Sequence, residues 1–166
     1  MPNPADAQQC KKPTDITEMS ASYGSTSGGV VTDITDLGRY VRALASGSLV
    51  PDKKRFAHPL PFSSTAPSWF TTIGGAVRAG SLIGQFGQMP GYLSAAFSDP
   101  KTGLTVAVVL NNSTAGAADA AYLAWELAAI ASKAPAAKGR TAPAAGLPWT
   151  AQSYHDAIAA KPICRS

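Results

Sequence analysis

The stretch LIGQFGQMPGYLSAAFSDPKTGLTVAVVLNN, residues 82–112, decides the fold of this protein. Pro90-Gly91 and the turn-forming sequence at 99–103 divide it into short segments rich in β-branched and aromatic residues. Four such β-rich runs occur here and just upstream: Trp69 to Val77, Leu82 to Gln88, Tyr92 to Ser98 and Leu104 to Asn111. Short connections make successive strands antiparallel neighbours, so the stretch predicts an antiparallel meander.

Helical periodicity flanks the meander on both sides. From Thr32 onwards, apolar residues recur at helical spacing, with Thr32 or Asp33 available to cap the first turn and Gly47 to end the helix. After the meander, residues 115–133 return to a helical pattern whose apolar side chains can pack on one face of the sheet. A helix, an antiparallel meander and a closing helix together predict an α+β fold.

The rest of the chain predicts no second domain. Residues 51–67 carry four prolines and predict a surface loop. Residues 134–166 are rich in alanine and proline and include a short helical stretch, Ala151 to Ala160. We interpret 134–166 as a tail that packs on the body formed by residues 1–133.

The composition of the chain argues against several classes of protein function. With 166 residues and 45% hydrophobic content, the chain can bury one ordinary core. Its 14 Lys and Arg exceed its 10 Asp and Glu, but they are scattered, which argues against nucleic-acid binding. The most apolar strand-like run, Leu104 to Leu110, is far shorter than the roughly 20 residues that cross a bilayer. The first ten residues lack the charged and apolar regions of a signal peptide, which suggests a natural start elsewhere.

Two cysteines, Cys10 and Cys164, stand near opposite ends of the chain. Their number and spacing do not suit a zinc site, and the sequence calls for no metal or other cofactor. They either form one disulfide, if the chain lies outside the cytosol, or are two unrelated buried thiols.

Three segments resemble one protein family in the correct order. Residues 28–40, GGVVTDITDLGRY, resemble a helix start with glycine, hydrophobic residues, Ser or Thr, and then Asp-Leu. Residues 84–92, GQFGQMPGY, resemble the pattern Gly-His-x-Gly-x-x-Pro-Gly-Tyr. Residues 99–106, followed by Leu110-Asn111-Asn112, are similar to the hairpin and strand that come next. The family is the penicillin-recognising serine hydrolases: serine β-lactamases, including class C, and D-alanyl-D-alanine carboxypeptidases.

The resemblance covers roughly residues 24 to 133 and corresponds to the C-terminal half of the family's domain. It implies that Gln85, Phe86, Gly87 and Gln88 form the strand that binds substrate at the edge of the active site. Alternation along a strand places Gln85 and Gly87 on one face and directs Phe86 into the core. A glycine facing the cleft lets a substrate approach closely, and the N–H of Gln88 can donate to a developing oxyanion.

The catalytic residues of the family are not found in this sequence. Gln85 replaces the usual Lys or His, so no cation is available there to hold a carboxylate or assist proton transfer. Ser98 to Lys101 matches Ser-x-x-Lys formally, but it overlaps Lys101-Thr102-Gly103 and contains Pro100, which predicts a hairpin turn. No asparagine follows Tyr or Ser in a Tyr-x-Asn or Ser-x-Asn pattern.

Other nucleophilic arrangements have little support. No Gly-x-Ser-x-Gly motif occurs, which removes the usual signature of a serine elbow. His58 precedes a proline in a loop, and His155 lies beside Asp156 in the tail, so both are interpreted as solvated surface residues.

Two functional hypotheses follow. The first is part of a serine hydrolase that forms an acyl-serine on D-Ala-D-Ala-like peptides, β-lactams or small esters, in which this chain supplies the binding strand but not the nucleophile. The second is a non-catalytic binding or scaffold module derived from that family. Bare sheet edges also suggest self-association, or pairing with the half that carries the nucleophile. A secreted or cell-envelope location is expected from the resemblance.

Overall fold

The structure, a computed structural model, describes residues 15–49, 52, 54–135, 138 and 145–161. Its sheet is a six-stranded antiparallel meander in which each strand pairs with the next one along the chain. The strands are β1 (Leu60–Pro61), β2 (Phe70–Ile73), β3 (Ala76–Ala79), β4 (Leu82–Met89), β5 (Tyr92–Ser98) and β6 (Thr105–Leu110). The α+β prediction is confirmed. Cys10 and Cys164, for which the sequence leaves open a disulfide or two separate thiols, lie outside the described residues.

Helices precede and follow the sheet in the sequence. A 3₁₀ turn at Ala21–Gly24 leads into a single-turn helix. In the described ranges, one longer helix then precedes the strands and two follow them. The α-helices are α1 (Ser25–Gly28), α2 (Ile34–Ser46), α3 (Ala117–Ala131) and α4 (Ala151–Ala159). Among the described residues, no helix has the length and apolar character needed to cross a membrane.

The caps of α2 are those that the sequence predicts. Oδ1 of Asp33 accepts a hydrogen bond from the N–H of Asp36 at 2.8 Å, which satisfies one of the free donors of the first turn. Gly47 ends the helix in the left-handed conformation, with φ of 77°.

Two local predictions are wrong. The run from Trp69 to Val77 is not one strand but a hairpin, because Gly74 and Gly75 both adopt positive φ and reverse the chain between β2 and β3. The proline-rich segment 51–67, expected to be a loop, contributes the two-residue strand β1, which pairs with Thr71 and Thr72 of β2.

The two faces of the sheet are covered by different helices. On one face, Leu44 and Ala45 of α2 pack against Ala76 and Ile83. On the other face, α3 covers the larger core, and its Trp125 is 3% exposed. The ring of Trp125 lies near a cluster of aromatic rings from the sheet and the tail: Trp69, Phe70, Phe86, Phe97, Trp149 and Tyr154.

The described part of the tail packs on α3. The indole Nε1 of Trp149 donates to the backbone oxygen of Trp125 at 3.0 Å. The ammonium of Lys161 pairs with the buried carboxylate of Asp119 and lies 4.7 Å from the centre of the Tyr122 ring. These contacts attach both ends of α4 to the body of the protein.

Burial also affects an acidic group at this contact. Removal of the Tyr154 hydroxyl from water raises its pKa above the ordinary value for tyrosine, and the neighbouring Tyr122 raises the pKa further. Tyr154 therefore stays neutral throughout the physiological pH range and packs as an uncharged aromatic residue.

Replacing Trp125 with alanine should lower the free energy of unfolding by about 3 to 5 kcal/mol, because the substitution leaves a large cavity between the sheet and the tail. Urea denaturation followed by circular dichroism measures this loss. Tyr23→Ala is the matched control, since Tyr23 is 65% exposed and its removal should change stability by about 0.5 kcal/mol or less. Equal losses in the two variants would contradict the central role of Trp125.

Candidate functional site

The second half of β4 is paired on one side only. Strand β3 reaches no further along β4 than Gly84, which is opposite Val77. From Gln85 to Met89 the strand continues to pair with β5. Within the described ranges, no strand pairs with the other side of Gln85–Met89. The residues that the resemblance assigns to substrate binding therefore lie along an open sheet edge.

Backbone directions along this edge follow from the hairpin between β4 and β5. Its two-residue turn, Pro90-Gly91, closes on the pair Met89 and Tyr92, whose backbones exchange hydrogen bonds. Alternate residues of an antiparallel strand bond to opposite sides. Phe86 and Gln88 therefore direct their N–H and C=O groups away from β5 and towards the open edge. This is the direction in which the predicted oxyanion donor, the Gln88 N–H, has to point.

Gln85 caps part of this edge with its own side chain. Its Oε1 accepts a hydrogen bond from the backbone N–H of Phe86 at 3.1 Å, and the residue is exposed. A neutral amide thus stands at the position where the family that the sequence resembles has a cation or an imidazole. The amide covers the first edge-facing donor and leaves the second, at Gln88, uncovered by this contact.

Gly87 opens the face that it shares with Gln85. A Cβ placed on Gly87 would have no atom within 4 Å, so the space above this residue is free. Helix α2 packs on the same face at Ile83, which lies four residues earlier in β4. The α1 segment packs at the other end, where a Cβ on Gly28 would lie 2.8 Å from Sδ of Met89. The result is a short gap on this face, with Gly87 at its floor.

Phe86 and Gln88 direct their side chains to the opposite face. The Phe86 ring lies 6.5 Å from the ring of Trp125 and 6.4 Å from that of Phe70, measured between centroids. Nε2 of Gln88 donates to the backbone oxygen of Ser113 at 3.4 Å. Both side chains anchor the strand to the core side of the sheet, which fixes the direction of the edge peptide groups.

Ser98 lies in a setting unsuited to a nucleophile. It is buried in β5, and its Oγ lies 2.9 Å from Oγ1 of Thr105. Oδ1 of Asp99 accepts from the backbone N–H groups of Lys101 and Thr102 at 2.7 and 3.1 Å, which closes a turn. The lysine of the formal Ser-x-x-Lys match therefore lies in a hairpin turn and not one helical turn from the serine.

A shallow polar depression lies beside this turn. Its lining includes Arg42, Asp99 and Lys101. It is far from the open edge, because Ser98 pairs with Ile83, four residues or about 13 Å along β4 from Gly87. We therefore regard the depression as a feature of the turn and not as part of the candidate site.

The two histidines lie on the surface. His58 is exposed, and Nδ1 of His155 is 3.1 Å from Oε1 of Glu126, across the contact between α4 and α3. In the described ranges, no group of three His, Cys, Asp or Glu side chains is arranged to hold a metal ion.

Two features of the site were not predicted from the sequence. The hydrogen bond between Gln85 and Phe86 depends on a side-chain rotamer, for which the sequence carries no signal. The close contact of α1 with Met89 has a signal, the small-residue run at 24–29, but a sequence of this kind is also typical of a flexible loop.

Comparison of the chain with models of known protein families, and with curated proteins, gives no match.

Replacing Gln85 with alanine should speed the hydrogen exchange of the Phe86 amide by about fivefold, since a hydrogen bond of about 1 kcal/mol is lost. Amide exchange followed by NMR measures the rate residue by residue. Gln88→Ala is the control, because its side chain bonds to Ser113 and not to the Phe86 amide. An unchanged Phe86 rate in Gln85→Ala would show that this cap does not protect the edge.

Proposed function

We propose that this chain forms the sheet side of an acyl-transfer site in a penicillin-recognising serine hydrolase. The observation that carries the proposal is the open edge at Gln85–Met89, where two peptide groups point outwards beside a glycine with free space above it. The order of the three family-like segments supports the same assignment. The substrates in question are D-Ala-D-Ala-like peptides, β-lactams and small esters.

In the proposed site, each edge residue has a defined task. The substrate lies extended along β4, with its backbone N–H donating to the C=O of Phe86. Gly87 lets the substrate approach without meeting a side chain. When the serine oxygen adds to the substrate carbonyl, that carbonyl oxygen becomes an oxyanion. The N–H of Gln88 donates to it, and a second donor accompanies the serine.

The nucleophile of the proposed site comes from outside these 166 residues. Ser98 to Lys101 is the sole Ser-x-x-Lys match in the chain, and its serine and lysine lie on a strand and in a turn. A lysine accepts the serine proton only when the two side chains are close, as they are one helical turn apart. The acyl-serine is therefore formed on a separate polypeptide segment that meets the β4 edge.

A second candidate is a binding module without catalysis, and the neutral Gln85 favours it. An amide cannot take up a proton near neutral pH, and its oxygen is already bonded to the Phe86 N–H. A site of this kind would hold an extended peptide by hydrogen bonds to the C=O of Phe86 and the peptide group of Gln88, and would leave it uncut. Binding of a D-Ala-D-Ala peptide without cleavage by the complete protein would favour this candidate over the hydrolase.

The chain alone should form no covalent adduct with a β-lactam or a fluorophosphonate, because no serine in the part of the chain that the structure describes is paired with a base. Intact-mass spectrometry after prolonged incubation with each reagent tests this. An adduct on any serine would contradict the proposal that the nucleophile is supplied by another segment. Denatured chain serves as the control for non-specific labelling.

Replacing Gly87 with valine should weaken the binding of an extended D-Ala-D-Ala peptide at least tenfold, or about 1.4 kcal/mol, because the side chain would fill the gap. The fold should tolerate this change, since valine suits a strand and meets no atom at that position. Isothermal titration calorimetry measures the affinity.

Gly146→Val is the matched control, because a Cβ on Gly146 also has no neighbour within 4 Å and Gly146 lies outside the sheet. This variant should bind the peptide as the unchanged chain does. Equal affinities for all three proteins would show that Gly87 is not part of the binding site. Absence of binding to the unchanged chain would show that the β4 edge does not bind this peptide.

A further inference from the structure

The side chain of Arg55 packs directly on the turn between β2 and β3. A Cβ on Gly74 would lie 2.5 Å from Cγ of Arg55 and 2.6 Å from its backbone oxygen, so only a glycine allows this contact. A Cβ on Gly75 would lie 3.2 Å from Nη2 of Arg55. Both glycines adopt positive φ and leave the turn free of side chains. The guanidinium of Arg55 therefore lies against Gly75.

This turn begins beside the first residues of the open β4 edge. Val77 of β3 pairs with Gly84 of β4. Continued by two residues, the same antiparallel register sets Gly75 level with Phe86, the first edge residue whose peptide group points outwards. Neighbouring strands are separated by roughly 4.8 Å. A guanidinium that contacts Gly75 is therefore within reach of a ligand that lies along the edge at 85–89.

Arg55 also lies on the face of the sheet to which Gly87 opens. The next residue, Phe56, packs with Ala76 and Ile83, in the cluster beneath helix α2. Ile83 and Gly87 share this face of β4, because they are an even number of residues apart on one strand. The segment that carries Arg55 thus borders the gap above Gly87 on the side away from β5.

The charge of Arg55 is not neutralised by any described residue. Arg55 is half-buried, its Nε has no hydrogen-bond partner, and within the described ranges its guanidinium forms no ion pair. Oδ1 of Asp52, the nearest acid in the sequence, accepts from the backbone N–H of Lys54 at 2.8 Å. Residues 68–98, which include strands β2 to β5, contain no acidic residue. A half-buried cation in these surroundings favours an anionic group on a ligand.

The position of Arg55 also defines the direction of a bound peptide. A ligand that pairs with β4 in antiparallel fashion continues the line of β3 and runs in the same direction as that strand. Its C-terminal end then points towards Gly75. If the N–H of Gln88 donates to a ligand carbonyl, a carboxylate one residue further on lies about 3.4 Å closer to the turn.

We propose that Arg55 binds the terminal carboxylate of a peptide held along β4 and so selects ligands with a free C-terminus. The proposal rests on the proposed function, since it requires the ligand to occupy the β4 edge. Arg55 would take the task of the cation that Gln85 does not supply. The two terminal nitrogens of its guanidinium can donate parallel hydrogen bonds to the two oxygens of a carboxylate.

Isothermal titration calorimetry with two forms of one D-Ala-D-Ala peptide tests the proposal. The unchanged chain should bind the form with a free carboxylate about tenfold more tightly than the form with a C-terminal amide. In Arg55→Gln this preference should fall to about twofold or less, while the affinity for the amide form stays unchanged. Arg55→Lys should keep part of the preference, because it retains the charge without the planar pair of donors.

Arg42→Gln is the matched control. Nη2 of Arg42 also lies 3.2 Å from the Cβ position of a turn glycine, Gly103, but this turn joins β5 to β6 at the opposite end of the sheet. The variant should retain the full preference for the free carboxylate. Unchanged affinity for the amide form in Arg55→Gln shows that the β4 edge of that variant is intact.

The remaining outcomes separate this proposal from the proposed function. Equal affinities of the unchanged chain for the two peptide forms, both weakened in Gly87→Val, would overturn the role of Arg55 and leave the β4 edge as a binding site. A preference for the carboxylate that persists in Arg55→Gln would also overturn that role. Absence of binding by both forms would overturn the proposed function and this proposal together.

Discussion

The packing of Trp125 between the sheet and the tail is the contact on which the rest of the structure depends. Its ring meets aromatic residues from β2, β4 and β5 on one side and Trp149 and Tyr154 on the other. Fully burying side chains of this size stabilises a small domain by several kcal/mol in total. A sheet of six strands needs apolar side chains packed on each of its faces, because an exposed apolar face would favour aggregation.

The packing around Trp125 also determines the geometry of the candidate site. Phe86 belongs to the aromatic cluster, so its side chain is fixed on the face of α3. Because side chains alternate along a strand, Gln85 and Gly87 must then occupy the other face. Rotation of β4 about its own axis would remove Phe86 from the core. The direction of the Gln88 N–H is therefore set by hydrophobic packing and not by any contact within the site.

Sequence patterns were sufficient for the features that depend on local chemistry. The meander is predicted by the turn-forming residues between its strands. The ends of α2 are predicted by Asp33 and Gly47, which cap the helix through contacts with neighbouring residues in the sequence. The hairpin at Gly74-Gly75 was missed because β-forming residues continue on both sides of the glycines, and a single run was the simpler interpretation. Strand β1 was missed because two residues are too few to show the alternation of apolar and polar side chains that marks a strand. Their pairing with β2 is decided by tertiary structure.

The two long edges of the sheet differ in the groups that they present. At β4 the edge is short, one of its donors is capped by Gln85, and a glycine leaves space on one face. These features favour a ligand that exchanges, because few hydrogen bonds and little apolar area are involved. At β6, residues 105–110 include no charged residue, proline or glycine. An uncharged strand of this kind has no side chain that competes for its backbone hydrogen bonds. The features that suit an exchanging ligand are therefore confined to the β4 edge.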